Sequence, residues 1–298
     1  YQRWGIGTAQ QDHGVLVIAA VEERQAAVTV GRSLYAVIRP EQLGQIGSLY
    51  LESAFRDGQY GEGLYRRPSD GRPVRVDIRA EEDISRTGWE PVCPETGEAL
   101  NAVATPESAA FMARNIYALT KRYQEELTFS IGRTYDFPVT CLRLFNVYGP
   151  RQSLSNPYTG VLAIFLSRLL SGKPPVVYED GNQTRDFVSV HDVVDAIVSA
   201  MQRRDADGHA INIGSGIPRR IGDVAHTLAD VMGLSNIAPD ITGSFRKGDV
   251  RHCYADISQA QRLLRFEPRV KWEDGLKELL EWSREAQAVD LFEEATRQ

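Results

Sequence analysis

Residues 108–145 constrain the fold of this chain more than any other segment. Apolar side chains recur there at helical spacing, which predicts an amphipathic helix that ends near Gly132 and packs an apolar stripe on a sheet. The stripe consists of Met112, Ile116, Leu119, Tyr123 and Leu127. The apolar run 139–145 follows and predicts a buried strand. Because a helix that leads into an apolar strand is the unit of parallel sheets, the segment predicts an α/β fold.

Tyr117 and Lys121 lie four residues apart in this predicted helix, so their side chains share one face. An ammonium group held one turn away favours the phenolate of a tyrosine, and a phenol needs this help to act as a general base near neutral pH. A tyrosine and a lysine on an exposed helix face would carry no chemistry. The pair alone therefore does not distinguish a catalytic role from an exposed helix face, and the surrounding sequence has to decide between them.

Three blocks follow the helix in order. Residues 142–152 read Leu-Arg-Leu-Phe-Asn-Val-Tyr-Gly-Pro-Arg-Gln and begin in the predicted strand. Residues 178–193 contain Arg185-Asp186-Phe187 in a turn that leads into a strand and then a helix. Residues 245–256 contain Arg246 and Asp249 in the order Arg-Lys-Gly-Asp. The planar guanidinium group of an arginine is suited to binding a diphosphate through paired hydrogen bonds.

The helix and the three blocks together resemble the NAD-dependent nucleotide-sugar epimerase/dehydratase family, the extended short-chain dehydrogenases. The resemblance implies that Tyr117 and Lys121 are catalytic and contact the cofactor: Tyr117 transfers a proton, and Lys121 also hydrogen-bonds the ribose of the nicotinamide. It further implies that Asn146 contacts the sugar or the diphosphate of the substrate. Arg185 and Arg246 then pair with the diphosphate, and Asp249 meets the nucleotide ribose or braces its loop.

The resemblance also implies an architecture. The fold is expected to be a Rossmann-like doubly wound parallel sheet, here incomplete, with a smaller C-terminal substrate-binding lobe. Residues 1–145 form the NAD-binding part and include an irregular excursion at 58–105, whereas residues 146–298 form the nucleotide-sugar-binding part and return some elements to the sheet. The excursion is most similar to the dTDP-L-rhamnose 4-epimerase branch. Relatives carry a cysteine-rich knuckle there, and only Cys93 remains, so no metal is expected.

The first sixty residues do not fit this architecture. No glycine-rich turn is present between a strand and a helix, and such a turn is what lets a dinucleotide pyrophosphate approach the backbone. The pair Ala26-Ala27 resembles the segment of the family whose alanines pass close to NAD. The apolar run 15–21 fits either a strand or a helix. The chain is therefore expected to be a fragment, or to lack the first strands, and to bind NAD poorly.

The expected function is a 4-epimerase of a dTDP- or UDP-sugar that works with NAD through a transient 4-keto intermediate. A dehydratase or decarboxylase of the same family is one alternative, and a catalytically inactive nucleotide-sugar-binding homologue is another. A net charge of -6 argues against nucleic acid as a partner. Three scattered cysteines fit a reducing cytoplasm, no stretch is apolar enough for a membrane span, and relatives commonly dimerise through the Tyr117 helix.

Overall fold

The computed structural model describes seven stretches of the chain and two isolated residues. The stretches are 15–20, 25–30, 64–74, 81–109, 116–152, 160–245 and 249–284, together with residues 76 and 79; of 15–20, 25–30, 81–83, 116 and 117 only the backbone is described. None of the helices in these ranges is long and apolar enough to cross a membrane. Arg246 lies outside the described residues, as do the side chains of Ala26, Ala27 and Tyr117.

The apolar run near the N-terminus is a strand. β1 (Val15–Ala20) pairs antiparallel with β2 (Gln25–Val30), so Ala19 lies opposite Ala26 and Ile18 lies opposite Ala27. The alternative of a helix is thereby excluded. The two predicted cofactor alanines belong to this antiparallel ribbon, and their contact with a cofactor stays a prediction.

The excursion has more regular structure than the sequence predicted. β3 (Leu64–Arg66) is the central strand of an antiparallel sheet between β4 (Pro73–Val74) and β5 (Asn101–Val103). A short helix, α1 (Glu81–Thr87), follows β4. The excursion has a small apolar core of its own, which contains buried Tyr65, Cys93 and Leu100. These very short strands pair over distances that local sequence patterns do not report.

The predicted long helix is α2 (Ile116–Tyr135), but its apolar stripe faces solvent. The exposed fractions of the side chains of Leu119, Tyr123 and Leu127 are 50%, 63% and 38%. The opposite, small and polar side contains the buried residue Ala118 and Gly132, where an added Cβ would lie 2.6 Å from Val139 Cγ2. The prediction that the stripe packs on the sheet was therefore wrong. Periodicity locates an apolar face but does not say what covers it.

After α2, helices alternate with short strands. β6 (Cys141–Leu144) pairs in parallel with β10 (Ala210–Ile213), and β7 (Asn146–Tyr148) follows β6. The predicted strand is thus confirmed, but all four residues of β6 are only half-buried. The remaining elements are α3 (Val161–Leu170), β8 (Val176–Val177), β9 (Thr184–Ser189), α4 (Val190–Gln202), β11 (Pro218–Arg220), α5 (Ile221–Val231), β12 (Asp240–Ile241), β13 (His252–Cys253), α6 (Ser258–Leu264) and α7 (Trp272–Ser283).

β9 organises this part of the fold. It pairs in parallel with β7 and β13 and antiparallel with β11, while β8 pairs in parallel with β12. One core cluster joins α3, α5 and α7 around Phe187, and a second joins α4 and α6 to β6 and β10. The described architecture is a mixed α/β fold with parallel strand pairs.

Buried Asp186 fixes the register around β9. Its carboxylate has no solvent exposure and accepts hydrogen bonds from Ser215 N, Ser215 Oγ, Gly216 N and Ala255 N at 2.7–3.0 Å. A buried carboxylate is tolerated only when its lone pairs are satisfied in this way. Asp186 thereby attaches the loop after β10 and the segment after β13 to β9, next to Arg185.

Candidate active site

Lys121 lies on the inner side of α2. Its ammonium group donates to Gln124 Oε1 at 3.3 Å, and burial lowers the pKa of this amine to about 8. The amide nitrogen Nε2 of Gln124 is buried and has no hydrogen-bond partner among the described residues. A half-buried ammonium and a buried amide donor thus lie side by side. Such a pair suits a ligand that offers hydroxyl or carbonyl oxygens.

Arg143 fixes α2 to β6. Its guanidinium donates to both carboxylate oxygens of Glu125 at 2.7 and 2.8 Å, and its Nη1 donates to the carbonyl of Glu107 at 3.0 Å. The hydrogen bonds to Glu125 raise the pKa of Arg143 above its ordinary value. Glu125 follows Lys121 by one helical turn, so this planar ion pair sets the position of Lys121 relative to the strand.

Asn146 begins β7, two residues beyond the end of β6. It lies opposite Phe187 of β9 and is half-buried. β6 therefore leads from the residue that holds α2, Arg143, directly to Asn146. Tyr117 lies in the first turn of α2, one turn before Lys121. The backbone thus places Tyr117 and Lys121 on one helix and Asn146 at the start of β7, directly after the strand attached to that helix.

Arg185 and Asp249, predicted to meet different parts of the substrate, contact each other. Arg185 Nη2 lies 2.6 Å from Asp249 Oδ1, and Nη1 donates to the carbonyls of Thr184 and Arg251 at 2.8 and 3.2 Å. These three contacts use three of the five N–H groups of a guanidinium. The side chains are 13% and 20% exposed, so both remain within reach of a ligand.

A buried charge network that the sequence did not reveal lies beside this pair. Arg251 is 1% exposed and bonds three carboxylates: Glu179 at 2.7 Å, Asp180 at 2.6 and 2.9 Å, and Glu90. Burial alone would lower the pKa of Arg251, but its carboxylate partners outweigh that effect and raise it. The same guanidinium counteracts the burial of Asp180 and holds the pKa of that carboxyl below its ordinary value.

Arg79 extends the network into the excursion. It bonds both oxygens of Glu179 at 2.6 and 3.2 Å and donates to the carbonyl of Asp249 at 3.0 Å. Its guanidinium also lies 5.4 Å from the ring centroid of Phe245, the residue before the undescribed segment 246–248. The excursion therefore contacts the described residues on both sides of segment 246–248, Phe245 and Asp249.

Glu90 links the excursion to β13 through a histidine. His252 Nε2 lies 2.8 Å from Glu90 Oε2, and His252 Nδ1 lies 3.0 Å from Thr184 Oγ1. Burial raises the pKa of Glu90, but hydrogen bonds from His252 and Arg251 outweigh it and lower the pKa to about 2. A cleft of about 850 Å³ opens beside these residues and is lined by Thr184 but not by Arg185. Successive strand residues face opposite sides, so this cleft is separate from the Arg185–Asp249 pair.

Comparison with protein families divides the chain into two parts. Residues 94–214 match the NAD dependent epimerase/dehydratase family. Residues 1–66 match a different family, the TPM domain. The region where a dinucleotide-binding turn was sought, including Ala26 and Ala27, thus lies within the second match.

Several curated proteins are similar to this chain. It is 36% identical over 228 residues to dTDP-L-rhamnose 4-epimerase of Burkholderia thailandensis, a match that covers 75% of this chain and 59% of that protein. It is 36% identical over 176 residues to UDP-N-acetyl-alpha-D-glucosaminuronate decarboxylase of Bacillus cytotoxicus, covering 57% of this chain and 53% of the relative. The chain therefore spans between half and three fifths of the length of these relatives.

Solved structures give the same coverage. UDP-glucose 4-epimerase of Thermotoga maritima, solved with UDP-glucose, is 35% identical with a TM-score of 0.58 over 63% of this chain and 60% of that chain. UDP-N-acetylglucosamine 4-epimerase of Methanobrevibacter ruminantium, in complex with UDP-N-acetylmuramic acid, is 33% identical with a TM-score of 0.57 over 61% of this chain and 57% of that one. The described fold is thus that of part of these enzymes.

Proposed function

Because this chain belongs, through residues 94–214, to the NAD dependent epimerase/dehydratase family, we propose that its active site is that of a 4-epimerase of a dTDP- or UDP-sugar. The observation that carries the proposal is the half-buried Lys121 on a helix that the Arg143–Glu125 ion pair holds against the strand leading to Asn146. The Rossmann-like doubly wound sheet belongs to the same proposal.

In this function Tyr117 takes the proton of the sugar 4-hydroxyl, and Lys121 stabilises the phenolate that accepts it. Lys121 and Gln124 would hold the nicotinamide ribose of NAD, which when bound would supply the reversible acceptor for the hydride of C4. The phenol then returns the proton to the 4-oxygen, so the reaction is redox-neutral overall. Asn146 contacts the sugar or diphosphate, Arg185 and Arg246 neutralise the diphosphate, and Asp249 meets the nucleotide ribose.

The described residues suit one half of the cofactor better than the other. Lys121 and the unpartnered Nε2 of Gln124 offer donors for the nicotinamide ribose. No described segment offers the glycine-rich turn before a helix that would hold the pyrophosphate. We therefore expect calorimetry to show NAD binding far weaker than micromolar in this chain by itself. Micromolar affinity would contradict this expectation and assign a cofactor role to the N-terminal part.

Two substitutions test the proposed site. Replacing Arg185 with alanine removes a charge-assisted contact worth roughly 1.5–3 kcal/mol, so calorimetry should show UDP-glucose or dTDP-L-rhamnose binding weakened about 10- to 150-fold. Arg220→Ala is the matched control, because Arg220 is exposed one position along β11 from the partner of Arg185. Equal affinities of the two variants would remove Arg185 from the site.

Replacing Tyr117 with phenylalanine should abolish epimerisation, measured by product analysis with NAD added, while leaving nucleotide affinity unchanged. The variant deletes only the proton-transfer group. If the chain binds the nucleotide sugar but neither it nor its Tyr117 variant turns the sugar over, the inactive nucleotide-sugar-binding homologue replaces the epimerase as the proposal. Conversion to a dehydrated or decarboxylated sugar would favour the other branches of the family.

The exposed stripe on α2 supports a homodimer. Leu119, Tyr123 and Leu127 form one apolar face along two turns of the helix. We expect a dimer by light scattering that Tyr123→Glu dissociates. A monomeric parent chain at the same concentration would rule out this part of the proposal.

A further inference from the structure

The side chain of Arg219 lies on the same face of the sheet as that of Arg185. In the antiparallel pair of β9 and β11, Arg219 is directly opposite Arg185. Side chains at directly opposite positions of such a pair share one face, because successive residues alternate between the two faces. The chain neighbours of Arg219, Pro218 and Arg220, accordingly line the cleft on the other face. The half-buried Arg219 therefore belongs to the side on which the diphosphate is proposed to bind.

An aromatic ring holds Arg219 in place. The guanidinium carbon lies 4.6 Å from the ring centroid of Trp272, which is buried and packs against Phe187. Stacking on a ring covers one face of the planar guanidinium and leaves the N–H groups at its edge available. The Nε of Arg219 is buried and has no hydrogen-bond partner among the described residues. A buried donor without an acceptor is costly, so the acceptor must come from outside the described residues.

The charge of Arg219 is also uncompensated. Like charges at directly opposite positions of a sheet repel each other. Arg185 is neutralised by Asp249, whose Oδ1 lies 2.6 Å from Arg185 Nη2, but no carboxylate of the described residues forms an ion pair with Arg219. Burial raises the pKa of Tyr148, and the positive charge of Arg219 opposes this rise without overcoming it, so the neighbouring phenol stays neutral. The two arginines and Asp249 therefore carry a net positive charge that an anionic ligand would balance.

We propose that Arg219 is a further substrate-binding residue, which binds the diphosphate of the nucleotide sugar together with Arg185. The identity of the ligand rests on the proposed function, whereas the need for an anion rests on the contacts of Arg219 itself. Both phosphates of a nucleotide sugar carry a negative charge, and the Arg185–Asp249 pair by itself is neutral. The planar guanidinium of Arg219 adds the missing positive charge and can donate to two phosphate oxygens at once. Its stack on Trp272 fixes the guanidinium before the ligand arrives, which lowers the entropy lost on binding.

Calorimetry on the full chain tests Arg219 with UDP-glucose, dTDP-L-rhamnose and inorganic pyrophosphate as probes. In Arg219→Gln, the affinity for pyrophosphate and for whichever nucleotide sugar the parent chain binds should fall at least tenfold, because a charge-assisted contact to phosphate is lost. Arg219→Lys keeps the charge without the planar fork and should recover only part of this loss. The matched control is Arg220→Gln, because Arg220 is exposed and its side chain lies on the other face of the sheet. This control should leave all the affinities unchanged.

NMR on the parent chain separates binding from a purely structural role of Arg219. With isotope-labelled arginine, the Nε–H resonance that is absent from Arg219→Lys should shift when pyrophosphate is added to the parent chain. Equal affinities of Arg219→Gln and Arg220→Gln, or an unshifted resonance, would overturn the inference and leave the proposed function standing if the parent chain binds a nucleotide sugar. Pyrophosphate binding through Arg219 in a chain that binds neither nucleotide sugar would leave Arg219 as an anion-binding residue and count against the proposed function. A parent chain that binds none of the probes would overturn both.

Discussion

The carboxylate of Asp186 should be the largest single polar contribution to the stability of the substrate side. It is fully buried and accepts four hydrogen bonds, two at each oxygen. In Asp186→Asn, the amide oxygen can serve one pair of donors, whereas the amide nitrogen faces the other pair. Two buried donors are then left without an acceptor, at about 1–3 kcal/mol each. The expected loss in the free energy of unfolding is therefore about 2–6 kcal/mol.

Urea denaturation followed by circular dichroism measures this loss. With a slope of about 2–3 kcal/mol per molar urea, the midpoint should fall by roughly 0.7–3 M. Asp195→Asn is the matched control, because Asp195 is an exposed carboxylate on the neighbouring α4 and should change stability by less than about 0.5 kcal/mol. If the Asp186 variant unfolds at the same midpoint as the control, the four bonds do not hold the loops to β9 and the reasoning is refuted.

Three more predictions follow from the same contacts. A double-mutant cycle of Glu125→Gln and Arg143→Lys in urea should give a coupling free energy of about 1–3 kcal/mol; additive effects would show that the pair does not hold α2. The pKa of Lys121 is about 8 when folded against 10.5 as its ordinary value, so the unfolded chain binds more protons between these values and stability rises with pH across that window. Lys121→Met should accordingly be more stable than the parent at pH 7, by roughly 2 kcal/mol, with the difference gone near pH 10.5; a gap independent of pH would contradict a buried ammonium. Asp249→Asn should weaken UDP binding but not pyrophosphate binding in calorimetry, since the ribose contact is lost while Arg185 remains; an equal loss for both ligands would make Asp249 only a brace for Arg185.

The sequence was most informative where contacts are local. The C-terminal end of the helix α2 was predicted to within a few residues, because apolar spacing acts within one or two turns. The strand β6 was predicted as well. That its four residues are only half-buried was not predicted, because burial depends on which elements lie beside the strand. The stripe on α2 was misassigned for the same reason: its polar side is the one attached to the sheet, through Glu125 and Arg143.

Candidate site residues could be named from the sequence only where the residue type and its motif indicate a particular chemistry. Tyr117 and Lys121 lie in the predicted helix and Arg185 in one of the three blocks that follow it, and the order of helix and blocks carries information. The sequence predicted Arg185 and Asp249 as two separate ligands of one substrate, and their direct contact was not anticipated. Arg251 stands two residues after Asp249 and was passed over. Its partners Glu90 and Asp180 lie 161 and 71 residues away, so no local pattern connects them.

The buried network around Arg251 explains why the excursion belongs to the substrate side despite its weak local signals. Arg251 and Arg79 share Glu179, and an uncompensated charge left in this position would be costly, so neither arginine can be withdrawn alone. Arg79 comes from the excursion and also holds the carbonyl of Asp249, while Glu90, again from the excursion, holds Arg251 and His252. Displacing the excursion would strip Arg251 of one carboxylate and Glu179 of one cation, and both remaining groups are almost fully buried. The excursion is therefore held to the substrate side by charge pairing through Arg79 and Glu90 in addition to its small apolar core.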